Sequence, residues 1–298
     1  MPDAARRSAV RMRASRRRGR GVRVRGDDMG KRGIRGAVAL GIVLALAGCQ
    51  SLGLGGSGTD RVERSGQLRV GMAGDYPPMN ARTRGGGLIG LDADLAAALA
   101  SILRVELVLV ERPIGELIDA VRSGDVDVAI SGITMTPRRN LDVAFAGPYY
   151  VARKAMLAKP AVLDGVAKLS DLRGRGLRVA AVAGGTSEEL VERVLPDAEH
   201  VLLQDQATAI AYIVDGRADV LVADDPVVRF ARLRYPEAGL AMVVEEKSAE
   251  PIGIAIAPDD PLFVNLVDNY LETLEEIGLL DQLRDRWFES DDWVARVE

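Results

Sequence analysis

Cysteine occurs once in this chain of 298 residues, at Cys49, and histidine once, at His200. One cysteine excludes an internal disulfide, and one of each leaves too few ligands for a Cys/His metal site or a Cys–His dyad. His200 precedes an expected strand at 201–203 and reads as a lone surface histidine. Aromatic residues are also scarce, at 4%, while hydrophobic residues reach 48%, so the core must be built mostly from Ala, Val, Leu and Ile. After Cys49 there is no apolar run long enough to cross a bilayer. Basic charge is thin in the same region. Residues 1–48 hold 13 of the 39 Lys and Arg but 3 of the 43 Asp and Glu, so residues 49–298 carry 26 basic and 40 acidic groups, a balance of −14. A body that acidic should repel nucleic acid, which demands a basic footprint. It suits the surface of an exported protein.

The N-terminal quarter divides by composition. Residues 1–28 are dense in arginine and show no apolar periodicity; they lie upstream of the true start or are disordered. From Met29 a charged segment leads into a 13-residue small and apolar run that ends at Gly48. Residues 29–48 therefore read as a signal peptide whose apolar part is too short to span a membrane. Leu46-Ala47-Gly48-Cys49 resembles a bacterial lipobox, which implies lipidation of Cys49 and a membrane anchor. Residues 49–66 begin rich in Gly and Ser and read as a flexible tether.

Beyond the tether the pattern is α/β. Strands are expected at 68–72, 105–110 and 126–130, with helices through Leu103 and over 114–123. The stretch Ser131-Gly132-Ile133-Thr134-Met135-Thr136-Pro137-Arg138-Arg139 follows the third strand. Small residues let a backbone approach a ligand, threonine hydroxyls donate to an anion, and an arginine fork matches a carboxylate. Ligands of open α/β sheets sit at the carboxyl ends of strands, which is where this segment lies. Residues 151–158 and 241–247 are expected to cross between two lobes as hinge strands. Two final helices span 262–277 and 279–288.

The segment from Ser131 to Arg139 resembles the ligand loop of bacterial extracellular solute-binding proteins of family 3, and the resemblance runs from about Leu68 to Phe288. Gly90-Leu91-Asp92-Ala93-Asp94-Leu95 and Arg286-Trp287-Phe288 resemble further family motifs. The resemblance implies a type II periplasmic-binding-protein fold: two lobes, each a mixed sheet flanked by helices, joined by two hinge crossings. Lobe 1 would comprise 67–152 and 248–298, and lobe 2 would comprise 153–247. It further implies that Arg139 takes a ligand carboxylate, Asp224 takes an α-ammonium, and Tyr76 covers the ligand. Ile114, Ser131, Gly132, Thr134 and Thr186 complete the expected ligand-binding set. Asp92 is expected to cap its helix. No catalytic residue, cofactor or metal is expected.

The function so implied is capture of an amino acid by a monomeric, lipid-anchored protein of the periplasm or cell surface, with delivery to an ABC-type permease. Cyclohexadienyl dehydratases, which eliminate water and carbon dioxide from prephenate or arogenate, resemble the same stretches and remain the alternative. Val227 stands where those enzymes carry a glutamate general acid, and Ser187 where they carry an asparagine. A sensor module for a membrane receptor is a second alternative. Ala73 stands where binders of cationic amino acids carry a carboxylate, and Ile114 where many carry a second aromatic wall, so a neutral ligand is expected.

Overall fold

The computed structural model describes residues 58–245 and 247–297. Residues 29–48, Cys49 and the first half of the tether lie outside these residues. The tether expected to reach residue 66 gives way earlier. A helix, α1 (Gly58–Ser65), carries Val62 into the core. Its start is held by Asp260, which accepts from the Thr59 backbone N–H at 2.7 Å and from the Thr59 hydroxyl at 2.8 Å. Arg61 ties the same helix to the buried Asp127.

Two five-stranded sheets follow, built on one plan. The first has the order β5 (Glu106–Glu111), β1 (Gln67–Met72), β6 (Val128–Thr134), β13 (Glu250–Ile256), β7 (Ala144–Ala152). The second has the order β10 (Glu199–Leu203), β9 (Arg178–Val182), β11 (Val220–Asp224), β8 (Lys154–Ala158), β12 (Ala241–Val244). In each, the first three strands run parallel and the fourth runs antiparallel to both its neighbours. The central strands β6, β8 and β11 are buried at every position, because helices cover both faces. A small three-stranded sheet of β2 (Asp75–Tyr76), β3 (Asn80–Arg82) and β4 (Leu88–Ile89) flanks the first sheet.

The expected hinge strands are shorter than the sequence pattern suggested. The segment 151–158, expected as one crossing strand, belongs to two strands. β7 ends in the first sheet at Ala152 and β8 begins in the second at Lys154, so Arg153 alone makes the crossing. Likewise β12 pairs within the second sheet to Val244, and the return lies between it and Glu250. The last helices are α7 (Pro261–Glu276) and α8 (Leu279–Arg284), after which Asp285–Glu289 forms a π turn. Beyond it the chain runs as a strap. Trp293 stacks on Phe230 of the second lobe at 5.6 Å between ring centroids, and Val297 bridges Thr83 of the first. Among the described residues no helix is long and apolar enough to cross a membrane.

Candidate functional site

The two sheets face one another across a cleft lined by residues of both lobes. Seven of the eight expected ligand-binding residues line it: Tyr76, Ile114, Gly132, Thr134, Arg139, Thr186 and Asp224. Ser131 does not. It is fully buried, and its hydroxyl accepts from the Ala73 backbone N–H at 2.8 Å, behind the strand. The reason is register. The segment 131–134, read from sequence as a loop, continues β6 through a register shift against β13, and Ser131 falls on the inner face.

Gly132 shows why a glycine interrupts this strand. Its φ is +59°, and a Cβ built there would stand 2.1 Å from the Tyr76 ring. The phenol therefore lies directly on the backbone of β6 and reaches the opposite lobe, where Tyr76 OH donates to Asp224 Oδ2 at 2.7 Å. Burial and the neighbouring Asp224 carboxylate push the Tyr76 phenol well above its ordinary value, so it stays a donor.

Arg139 opens a short 3₁₀ turn, Arg139–Leu141, just after β6. Its guanidinium donates to Thr134 O at 2.9 Å and across the cleft to Gly184 O at 3.3 Å. Both partners are neutral carbonyls. Among the described residues no carboxylate lies within 4.0 Å of it. Burial lowers the Arg139 pKa from its ordinary value, opposed by the more distant Glu189, Glu250 and Asp224. Its neighbour Arg138 is solvent-exposed.

From the second lobe, α4 (Thr186–Val194) and β11 bring Thr186 and Asp224 to the cleft. Asp224 closes β11 and precedes α6 (Asp225–Arg234) without capping it through its side chain. The countercharge that a cleft carboxylate requires is supplied from within the chain. Lys154 Nζ donates to Asp224 Oδ1 at 2.6 Å and to Thr186 Oγ1 at 2.7 Å, and lies 3.5 Å from Glu250 Oε2. Neither Lys154 nor Glu250 is apparent from motif reading. The available signal was a lysine opening the wholly buried strand Lys-Ala-Met-Leu-Ala, a position that demands an anionic partner.

Two further groups escaped sequence reasoning. Asp75 accepts from the Gln206 backbone N–H at 3.1 Å, and burial raises its carboxyl above the usual range. Gln206 also lines the cleft, with Oε1 buried and unpartnered. Asp92, expected as a helix cap, is not one. The helix α2 (Leu91–Leu103) is preceded by Gly90, and Asp92 turns inward to accept from Tyr149 OH at 2.6 Å and Asn80 Nδ2 at 2.7 Å. Burial pushes its carboxyl up to about 6. Val227 is fully buried in α6.

The cleft thus holds a lone guanidinium on one side and a closed network of lysine, two carboxylates, a threonine and a tyrosine on the other. It can take the carboxylate of a small molecule without a metal ligand set; among the described residues no group of three or more His, Cys, Asp or Glu could hold a metal.

Known proteins share this architecture. The profile of the bacterial extracellular solute-binding proteins, family 3, matches residues 68–290. A cyclohexadienyl dehydratase of Pseudomonas aeruginosa is 32% identical over 250 residues, 83% of this chain and 91% of the relative. The ABC transporter arginine-binding protein 1 of Escherichia coli is 27% identical over 228 residues, 74% of this chain and 90% of the relative. Among solved structures, an ancestral amino-acid-binding protein described as a precursor of cyclohexadienyl dehydratase is 34% identical, with a TM-score of 0.72, covering 78% of this chain and 100% of its own. The two mixed sheets are those of the type II periplasmic-binding-protein fold. On the extent of the profile match and the shared two-lobed fold, the chain belongs to the bacterial extracellular solute-binding proteins, family 3.

Proposed function

We propose that this protein captures an amino acid between its lobes and delivers it to an ABC-type permease, held at the membrane by a lipid on Cys49. The observation that carries the reading is Arg139. Its guanidinium projects into the interlobe cleft, is held only by two neutral carbonyls, and has fork geometry that fits a ligand carboxylate. Closing the lobes around the ligand is a hinge motion, with each sheet a rigid unit. Isothermal calorimetry against the amino acids tests this. Arg139→Ala should abolish binding with the melting temperature unchanged within ~3 °C, since a partly exposed side chain held by carbonyls adds little to stability. Unchanged affinity would refute it. Metabolic labelling with a fatty-acid analogue, present in the wild type and absent from Cys49→Ala, tests the anchor.

A second reading, a dehydratase, is favoured by one observation in the cleft. Asp75 is a desolvated carboxyl whose raised pKa suits a proton donor. Against it stands Val227, apolar and buried where such enzymes carry their acid. Incubation with prephenate and arogenate decides between them: formation of aromatic product above the uncatalysed rate supports the enzyme, and its absence supports the binder.

A further inference from the structure

Asp224 is a buried carboxylate in a closed cleft, and both its oxygens are engaged. Oδ1 receives Lys154 Nζ and Oδ2 receives Tyr76 OH. Lys154 is itself fully committed. Its side chain is 3% exposed, and its three ammonium protons face three acceptors: Asp224 Oδ1, Thr186 Oγ1 and Glu250 Oε2. The Thr186 hydroxyl in turn donates to Glu250 Oε2 at 3.0 Å. The ammonium that a cleft aspartate would otherwise draw from a ligand is already in place.

We infer that Lys154 is a specificity-determining residue that removes the ligand's α-ammonium from recognition, so the cleft takes small carboxylates bearing a 2-oxo group about as well as the matching amino acids. Two physical arguments carry this. An incoming ammonium is a donor only, and it arrives where Asp224 is already neutralised and a like charge stands beside it. A 2-oxo oxygen carries no charge, so the Lys154 ammonium beside Asp224 does not repel it. The carboxylate partner remains Arg139, so the inference rests on the proposed function above.

Calorimetric titration with pairs that differ only at C2 tests it: L-leucine with 4-methyl-2-oxopentanoate, L-phenylalanine with phenylpyruvate, and L-glutamate with 2-oxoglutarate. In the wild type the members of a binding pair should agree within about threefold; Lys154→Met, which strips Asp224 of its cation, should favour the amino acid by about tenfold or more. The wild-type ratio needs no variant to fold. A wild-type preference of tenfold or more for the amino acid, or a ratio left unchanged in Lys154→Met, overturns the inference and leaves the Arg139 reading standing. Binding by neither member of any pair overturns both.

Discussion

Gly132 concentrates the chemistry of the cleft into one atom that is missing. Any other residue meets two obstacles there, a left-handed φ and the Tyr76 ring at 2.1 Å. Gly132→Ala should therefore cost roughly 2–3 kcal/mol of stability in urea unfolding and weaken ligand binding at least tenfold, because the phenol must move off the strand. Asp92 offers a test of another kind. Its folded pKa is raised to about 6 from an ordinary 3.8, so the native state holds a proton that the unfolded chain has lost. Its contribution is greatest below the unfolded value and fades as pH rises through about 6, by at most roughly 3 kcal/mol. Urea titrations at pH 4.5 and 7.5 should show Asp92→Asn gaining on the wild type, by ~2 kcal/mol, as the pH rises. Much of this scale was legible in the residues themselves. The glycine, the tyrosine and the arginine announced their places through motif spacing. Ser131 and Asp92 did not, because a strand's register and an inward rotamer decide where a side chain points. Lys154 was missed because its partners lie 32 to 96 residues away along the chain.

At the scale of elements, the two lobes repeat one device with different exposure. In the first, Asp127 before β6 accepts from the Arg69 backbone N–H at 2.7 Å and from its guanidinium, and pairs with Arg61 as well. In the second, Asp219 before β11 accepts from the Arg178 backbone N–H at 2.8 Å and from its guanidinium. Each clamp fixes the start of one parallel strand against the next. The Asp127 side chain is 1% exposed and that of Asp219 is 29% exposed. Asp127→Ala should thus cost ~3 kcal/mol and Asp219→Ala ~1 kcal/mol, measured as shifts in the denaturation midpoint at constant slope. The sequence reading did not reach these long-range ion pairs. It also read 131–134 as loop, since two small residues and a threonine break the apolar run, whereas pairing with β13 resumes at Ile133 and Thr134 after a register shift and keeps the segment in the strand.

For the whole molecule, the question is how closely the lobes can meet. At the mouth of the cleft their backbones touch at glycines: a Cβ on Gly184 would stand 2.7 Å from the Gly115 Cα, while one on Gly115 would meet the Gly184 Cα at an ordinary 3.5 Å. Gly184 also has φ +75°. Gly184→Ala should hold the lobes apart and lower ligand affinity by about tenfold or more, and Gly115→Ala should change it by less than about threefold. Calorimetry on the two variants separates these outcomes, and small-angle scattering on Gly184→Ala with saturating ligand should show a wider particle than the wild type. The two-lobed plan was readable through the resemblance of the sequence motifs to family 3. The single-residue crossing at Arg153 was not, because strand residues flank it on both sides and conceal the change of sheet.

The strap after α8 has a consequence of its own. The chain contains two tryptophans. Trp287 is buried in the first lobe and donates its indole N–H to Asp94, whereas Trp293 lies against Phe230, a ring that belongs to the other lobe. Parting the lobes must separate that stacked pair or drag the tail with it, and because the two indoles lie 6.0 Å apart, either event changes what surrounds both. The protein therefore carries its own optical gauge, a pair of adjacent emitters set where the lobes meet.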